Sequence, residues 1–272
     1  DHVIPLWRLS CGICEYCSES RPALCPVGTE IRASGRLQDG TSRFRYKGQE
    51  ILHFAGVSAF SNYTVLPEGS VLKIPKDLPF ELAALLGCSV ITGVGSVINT
   101  ASLKPGRTVA VFGVGGVGVN IVQGAVLSGA KQIIAVDRHD MRLEQVREFG
   151  ATHTINASKE NPVKTIHDFT QGRGVDFAFE AVGLPDTIQQ AYDSLAKRGT
   201  AIVVGIPANG AKVTLTALPF AFEERVLTGS LYGSAVPRND IPRMIDLYKA
   251  GKLELNKLLT RSYPIEQINE AY

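Results

Sequence analysis

Cysteine is scarce in this chain: five in 272 residues, with two Met and one Trp. That is too few for a fold stapled by disulfides, and no stretch has the layout of a secretory signal. Charge of one sign is also lacking. Lys and Arg total 28 against 26 Asp and Glu, a formal net charge of +2, with no block of like charge. Nucleic acid and anionic membrane surfaces are therefore not expected partners. No apolar run reads as long enough to span a bilayer. Low-complexity segments and solenoid repeats are missing too. What remains is an ordinary globular composition, 44% hydrophobic and 20% charged, sufficient for one large or two medium domains. A cytoplasmic location is expected.

Four of the five cysteines fall in one short lobe, "SCGICEYCSESRPALCP", at Cys11, Cys14, Cys17 and Cys25. The spacing is C-x2-C-x2-C-x7-C. Disulfides among the first three would need very tight loops. Thiolates converging on one metal meet that spacing more easily, and zinc takes four of them tetrahedrally in a closed structural site. An iron–sulfur cluster competes, since C-x2-C-x2-C before a C-P pair occurs in bacterial ferredoxins, but with a final gap of three residues instead of the seven here.

After the lobe, "SNYTVLPEGSVLKIPKDLP" reads as short strands with a turn at Pro67, Glu68 and Gly69. "FELAALLGCSVITGVGSVINTASL" is an apolar run with helical spacing, broken by Gly87, Gly93 and Gly95. From about residue 107 short apolar strands alternate with helices: "RTVAVF", a helix after the glycine turn, "QIIAVD", "DMRLEQVREFGA", "HTIN", a helix over 163–170, "VDFAFEA", a helix over 186–196, and "TAIVVG". That alternation predicts an α/β doubly wound parallel sheet.

The first strand-to-helix link is "FGVGGVGVN", in which Gly113, Gly115 and Gly118 form G-x-G-x-x-G around Gly116 and Val117. Gly113 permits a tight turn, Gly115 close approach of a pyrophosphate, and Gly118 close helix–strand packing; the helix start offers free N–H groups to phosphate. Asp137 ends the second strand, 19 residues after Gly118. A carboxylate there suits ribose hydroxyls and repels a 2′-phosphate, so NAD is expected over NADP, with Arg138 alongside as the feature that leaves NADP open.

These segments together resemble the zinc-dependent medium-chain alcohol dehydrogenases. "VIPLWRLSCGICEYC" resembles the entry to that family's structural-zinc lobe, "GCSVITGVGSV" its segment bearing a catalytic-zinc cysteine, "FGVGGVG" with "VDR" its coenzyme site, and "VVGIP" with "FEERVLTGSLYG" the end of its coenzyme domain. The resemblance implies a Rossmann coenzyme domain over 90–232, and a mostly-β GroES-like catalytic domain contributed by 1–89 and 233–272. It implies that Cys11, Cys14, Cys17 and Cys25 hold structural zinc and that Cys88 is a catalytic-zinc ligand. Thr92, Val204 and Ile206 would flank the nicotinamide, Val182 the adenine, and Arg142 the adenosine. Trp7 and Phe54 would wall the alcohol pocket, although both also suit core aromatics. His53 and His153 read as structural or surface.

The family's remaining catalytic-zinc ligands, its nearby Glu and its proton-relay Ser or Thr and His precede the lobe, and none lies ahead of Cys11. The chain therefore reads as an internal fragment, inactive alone, of an enzyme that interconverts small alcohols with aldehydes or ketones using NAD. Alternatives are oxidation of a hydroxymethyl–glutathione type adduct, with Arg32 as the candidate for its carboxylate, a polyol or amino-alcohol dehydrogenase, and a catalytically silent NAD-binding protein if the chain starts at Asp1. The stretch 212–233 is expected to be strand-rich at the sheet edge, where the resemblance implies a homodimer or dimer-based tetramer.

Overall fold

The computed structural model describes all 272 residues. The chain divides into two compact units, Ser89–Ser234 and a second made of Asp1–Cys88 with Ala235–Tyr272.

The Ser89–Ser234 unit is built on six parallel strands: β5 (Thr108–Phe112), β6 (Gln132–Asp137), β7 (His153–Asn156), β8 (Val175–Glu180), β9 (Leu195–Val203) and β10 (Val226–Gly229). Their order across the sheet is β10-β9-β8-β5-β6-β7. The order reverses beside β5, which opens a crevice at the carboxyl ends of β5 and β8. β5 is buried at all five positions, as a strand covered on both faces must be. Phe112, Ile134, Val136, Ile155, Ile166, Tyr192 and Leu195 form one dry cluster around the sheet. The helices Gly116–Leu127, Asp140–Arg147, Pro162–Phe169 and Pro185–Asp193 follow β5, β6, β7 and β8. The last is shorter than expected: Leu195 pairs with Val175 in the β8 ladder, so residues 195 and 196 open β9 instead of closing a helix.

The apolar run at 80–100 departs most from expectation. It forms one helix, Phe80–Thr100, whose length and composition would suffice to cross a membrane. The expectation that no such run exists is thus corrected. The helix is mostly buried, with 67% of its most apolar window inside the protein, as for a core helix. Nor do the glycines break it. A Cβ at Gly93 would lie 2.5 Å from the Asn120 Cβ, and one at Gly95 2.7 Å from the Gly233 carbonyl oxygen. Tight packing against neighbouring backbone outweighs the roughly 1 kcal/mol that a helical glycine costs. Residues 86–90 and 96–100 are wound as π-helix, so Cys88 sits in a locally widened turn.

The second unit holds two antiparallel pairs: β1 (His2–Pro5) with β4 (Val71–Ile74), and β2 (Phe44–Tyr46) with β3 (Gln49–Ile51). Residues 61–67, expected to include a strand, join no ladder, and the turn at 68–70 is a 3₁₀ turn leading into β4. The stretch 212–233 is less strand-rich than expected. It supplies a short helix, Leu218–Phe222, and then β10 at the edge of the sheet.

Candidate functional site

The thiol lobe is wound around its own sulfurs. Cys11 and Cys14 lie in the loop before a short helix, Glu15–Ser18, which carries Cys17; Cys25 stands at the start of the helix Pro26–Ser34. All four Sγ atoms lie within 4.8 Å of one another, with Cys14–Cys17 at 3.5 Å and Cys14–Cys25 at 3.8 Å. A zinc with bonds of about 2.3 Å needs thiolates about 3.8 Å apart. A cluster of several iron atoms would hold them farther apart. All five cysteines are free thiols, so no disulfide competes. The residues therefore fit a single tetrahedral metal.

The backbone already favours thiolates here. Cys11 N–H donates to the Cys25 sulfur at 3.3 Å, and Cys14 N–H to the Cys11 sulfur at 3.3 Å. Backbone N–H groups of Ile13 and Cys14 pull the Cys11 thiol down to about 6. Burial and the Cys14 thiol push Cys17 up to about 12. Sequence reasoning missed Arg8. Buried beneath the lobe, it donates from Nε to the Ala23 carbonyl at 2.6 Å and from Nη2 to Thr29 Oγ1 at 2.8 Å. Thr29 Oγ1 in turn donates to the Cys25 carbonyl at 3.1 Å, so a cation braces the residues on both sides of Cys25.

The crevice of the parallel sheet has the form of a dinucleotide site. Gly113 turns with φ +85°, and its N–H donates to the Val136 carbonyl at 2.7 Å. A Cβ at Gly118 would sit 1.8 Å from the Gly113 carbonyl oxygen, an approach that glycine alone allows. Gly115 is the residue before the helix Gly116–Leu127, and a Cβ there would meet nothing within 4 Å. Open space faces the free N–H groups of the helix start, which suits a phosphate. Val117 is half-buried and Gly116 exposed at that start.

Asp137 is almost fully buried at the end of β6. Its Oδ2 accepts from Val114 N–H at 3.0 Å, and its Oδ1 from Arg138 N–H at 2.8 Å and His139 N–H at 3.1 Å. Arg142 lies 3.7 Å from Oδ2, while Arg138 points to solvent. Val182 is exposed against Gly113; Val204 is buried at the strand end and Ile206 is 78% exposed beyond it. Glu180, fully buried at the end of β8, was not singled out from the sequence. The signal was present: it is the one carboxylate at the apolar end of "VDFAFE".

In the other unit, Trp7 and Phe54 share the lining of one hollow of about 580 Å³, together with Phe44, Leu52, Val57 and Phe60. Phe54 is 82% exposed there and is no core aromatic. Cys88 is exposed, and belongs to no group of three metal-binding side chains. Thr92 follows on the same helix, half-buried. His53 is buried, accepting from Arg43 N–H at Nε2 and packing on Phe44; His153 packs on Phe169. Arg32 is exposed on the helix Pro26–Ser34.

Comparison with known proteins agrees with this geometry. A family model described as zinc-binding dehydrogenase matches residues 116–250. An alcohol dehydrogenase class-3 from Dictyostelium discoideum is 40% identical over 279 aligned residues, spanning 100% of this chain and 73% of the relative. An S-(hydroxymethyl)glutathione dehydrogenase from Escherichia coli is 37% identical over 275 residues, with 100% and 74% covered. The crystal structure of benzyl alcohol dehydrogenase from Acinetobacter calcoaceticus superposes with a TM-score of 0.93 at 33% identity, covering 100% of this chain and 73% of that one.

Proposed function

The chain belongs to the zinc-dependent medium-chain alcohol dehydrogenase family, and from that premise we propose that it serves the NAD-linked interconversion of small alcohols with aldehydes or ketones. The carrying observation is the juxtaposition of the Gly113–Gly118 turn, the open helix start behind it and the Asp137 carboxylate. A nicotinamide coenzyme bound there supplies the acceptor for the hydride of the alcohol carbon.

The protein's share is binding and orientation. Backbone N–H groups from Gly115 to Val117 would take the pyrophosphate. The Asp137 carboxylate would meet the adenosine ribose and exclude a 2′-phosphate by charge, with Arg142 beside it. Val182 would lie along the adenine, and Thr92, Val204 and Ile206 would hold the nicotinamide ring. In the other unit, the hollow lined by Trp7 and Phe54 is the candidate for the alcohol. The four-thiolate site is structural, because a closed shell leaves no position for substrate. For a substrate-binding zinc these residues contribute Cys88, and one thiolate does not retain a metal against competing chelators.

A second substrate class, the hydroxymethyl adduct of a thiol, is favoured by the name of the Escherichia coli relative; exposed Arg32 is then the candidate for its carboxylate. The free state of all five cysteines supports a reducing, cytoplasmic setting. The apolar side chains of Leu218, Phe220 and Phe222, exposed beside the edge strand β10, support a homodimer or a tetramer of such dimers.

The direct experiment is titration of the 272-residue protein with NADH and NADPH by coenzyme fluorescence, together with metal analysis. Expected are saturable NADH binding, weaker NADPH binding and about one zinc per chain. Absence of NADH binding at millimolar coenzyme would overturn the reading.

A further inference from the structure

Glu180 closes β8 with its side chain fully buried. A buried carboxylate is tolerated only when hydrogen bonds replace its water. Here the bonds converge on one oxygen. Oε1 accepts from Val182 N–H at 2.9 Å, Gly183 N–H at 2.8 Å and Thr187 Oγ1 at 2.7 Å. Oε2 is buried and has no hydrogen-bond partner. The main-chain carbonyl of the same residue accepts from Val204 N–H at 2.8 Å and Gly205 N–H at 2.9 Å. Glu180 thus holds the loop after β8 with its side chain and the loop after β9 with its backbone.

Those loops are in direct contact. A Cβ at Gly183 would lie 2.5 Å from the Ile206 carbonyl oxygen, and a Cβ at Gly205 2.3 Å from the Gly183 nitrogen. The glycine turn joins them: a Cβ at Gly113 would lie 2.5 Å from Val182 Cγ2. With so little room, movement of the β8 loop displaces Val182, Ile206 and the turn at Gly113 together.

We infer that Glu180 is a positioning residue for the coenzyme, setting the two loops that present Val182, Val204 and Ile206. It acts through the backbone of residues 182 and 183. This rests on the coenzyme site proposed above. A carboxylate suits the role because one of its oxygens can accept several donors at once. Glutamine keeps the reach and an accepting oxygen. Aspartate keeps the charge but is one methylene too short to meet both N–H groups. Alanine leaves them without an acceptor.

The test compares Glu180→Gln, Glu180→Asp and Glu180→Ala in the whole chain by NADH fluorescence titration, with thermal unfolding followed by circular dichroism. Expected is NADH affinity within about threefold of the parent for Gln, and a loss of about tenfold or more for Asp and Ala in protein that is still folded at the assay temperature. A merely structural role predicts otherwise: lowered melting midpoints, with folded protein that binds NADH as the parent does. That result overturns the inference, as does an Asp variant equal to the parent. If the Ala variant does not fold, the order of Gln above Asp decides. Failure of the unaltered protein to bind NADH would instead overturn the coenzyme site itself and this inference with it.

Discussion

The Asp137 carboxylate is tied to three backbone N–H groups, of Val114, Arg138 and His139, independently of any coenzyme. It therefore has two duties under the proposed function. It fastens the glycine turn to the end of β6, and it presents negative charge where a ribose would lie. Removing it touches both. Asp137→Gly should cost about 1–3 kcal/mol of stability, because Val114 N–H is left buried without an acceptor. It should also weaken NADH binding while improving NADPH relative to NADH. Asp137→Asn keeps the shape and one acceptor, so most stability should remain while the preference for NADH falls. Calorimetric unfolding separates the first effect, and paired coenzyme titrations the second. Unchanged discrimination in both variants would assign selectivity elsewhere, with Arg138 and Arg142 the nearest candidates.

At the scale of elements, the lobe of residues 11–25 has little to hold it except its sulfurs and Arg8. Cys11, Cys14 and Cys17 are each only half-buried, and Ile13 is 89% exposed, so apolar burial contributes little there. Metal binding must supply the folding free energy of such a loop. Cys14→Ser should release zinc and lower the melting midpoint. Chelation of the unaltered protein should do the same, and added zinc should restore it. A melting curve indifferent to chelator would contradict the structural role. The helix Phe80–Thr100 is the opposite case. Its buried apolar packing holds it intact through three glycines, and nothing in the lobe has comparable support.

For the molecule as a whole, the edge at β10 is where further assembly is expected. β10 is four residues long, and beside it Leu218, Phe220 and Phe222 are 63%, 43% and 79% exposed. An unpaired edge with adjoining apolar surface is a site for pairing with a second copy. Light scattering at micromolar concentration should return at least twice the 29.2 kDa of one chain. Phe222→Glu, at a position 79% exposed and not among the proposed coenzyme residues, should shift the equilibrium toward monomer while NADH binding persists. A monomeric parent protein would overturn the assembly.

The strand–helix alternation from residue 107, the glycine turn with Asp137 and the clustered cysteines were legible in the sequence because each is a local requirement. A buried strand needs a continuous apolar run, a phosphate turn needs glycines at fixed offsets, and one metal needs thiols close in the chain. Tertiary contact decided the rest. Gly93 and Gly95 read as breaks until the opposing backbones of Asn120 and Gly233 appear beside them. Leu195 and Ala196 read as helix until the β8 ladder claims them. Arg8 carried no local signal of its role, since its partners Ala23 and Thr29 lie 15 and 21 residues away. Glu180 acquires a role only because the loops after β8 and β9 meet over it. Local pattern reveals what a residue requires of its neighbours in the chain; which distant backbone satisfies a buried charge, or fills the space a side chain would take, exists only once the sheet has assembled.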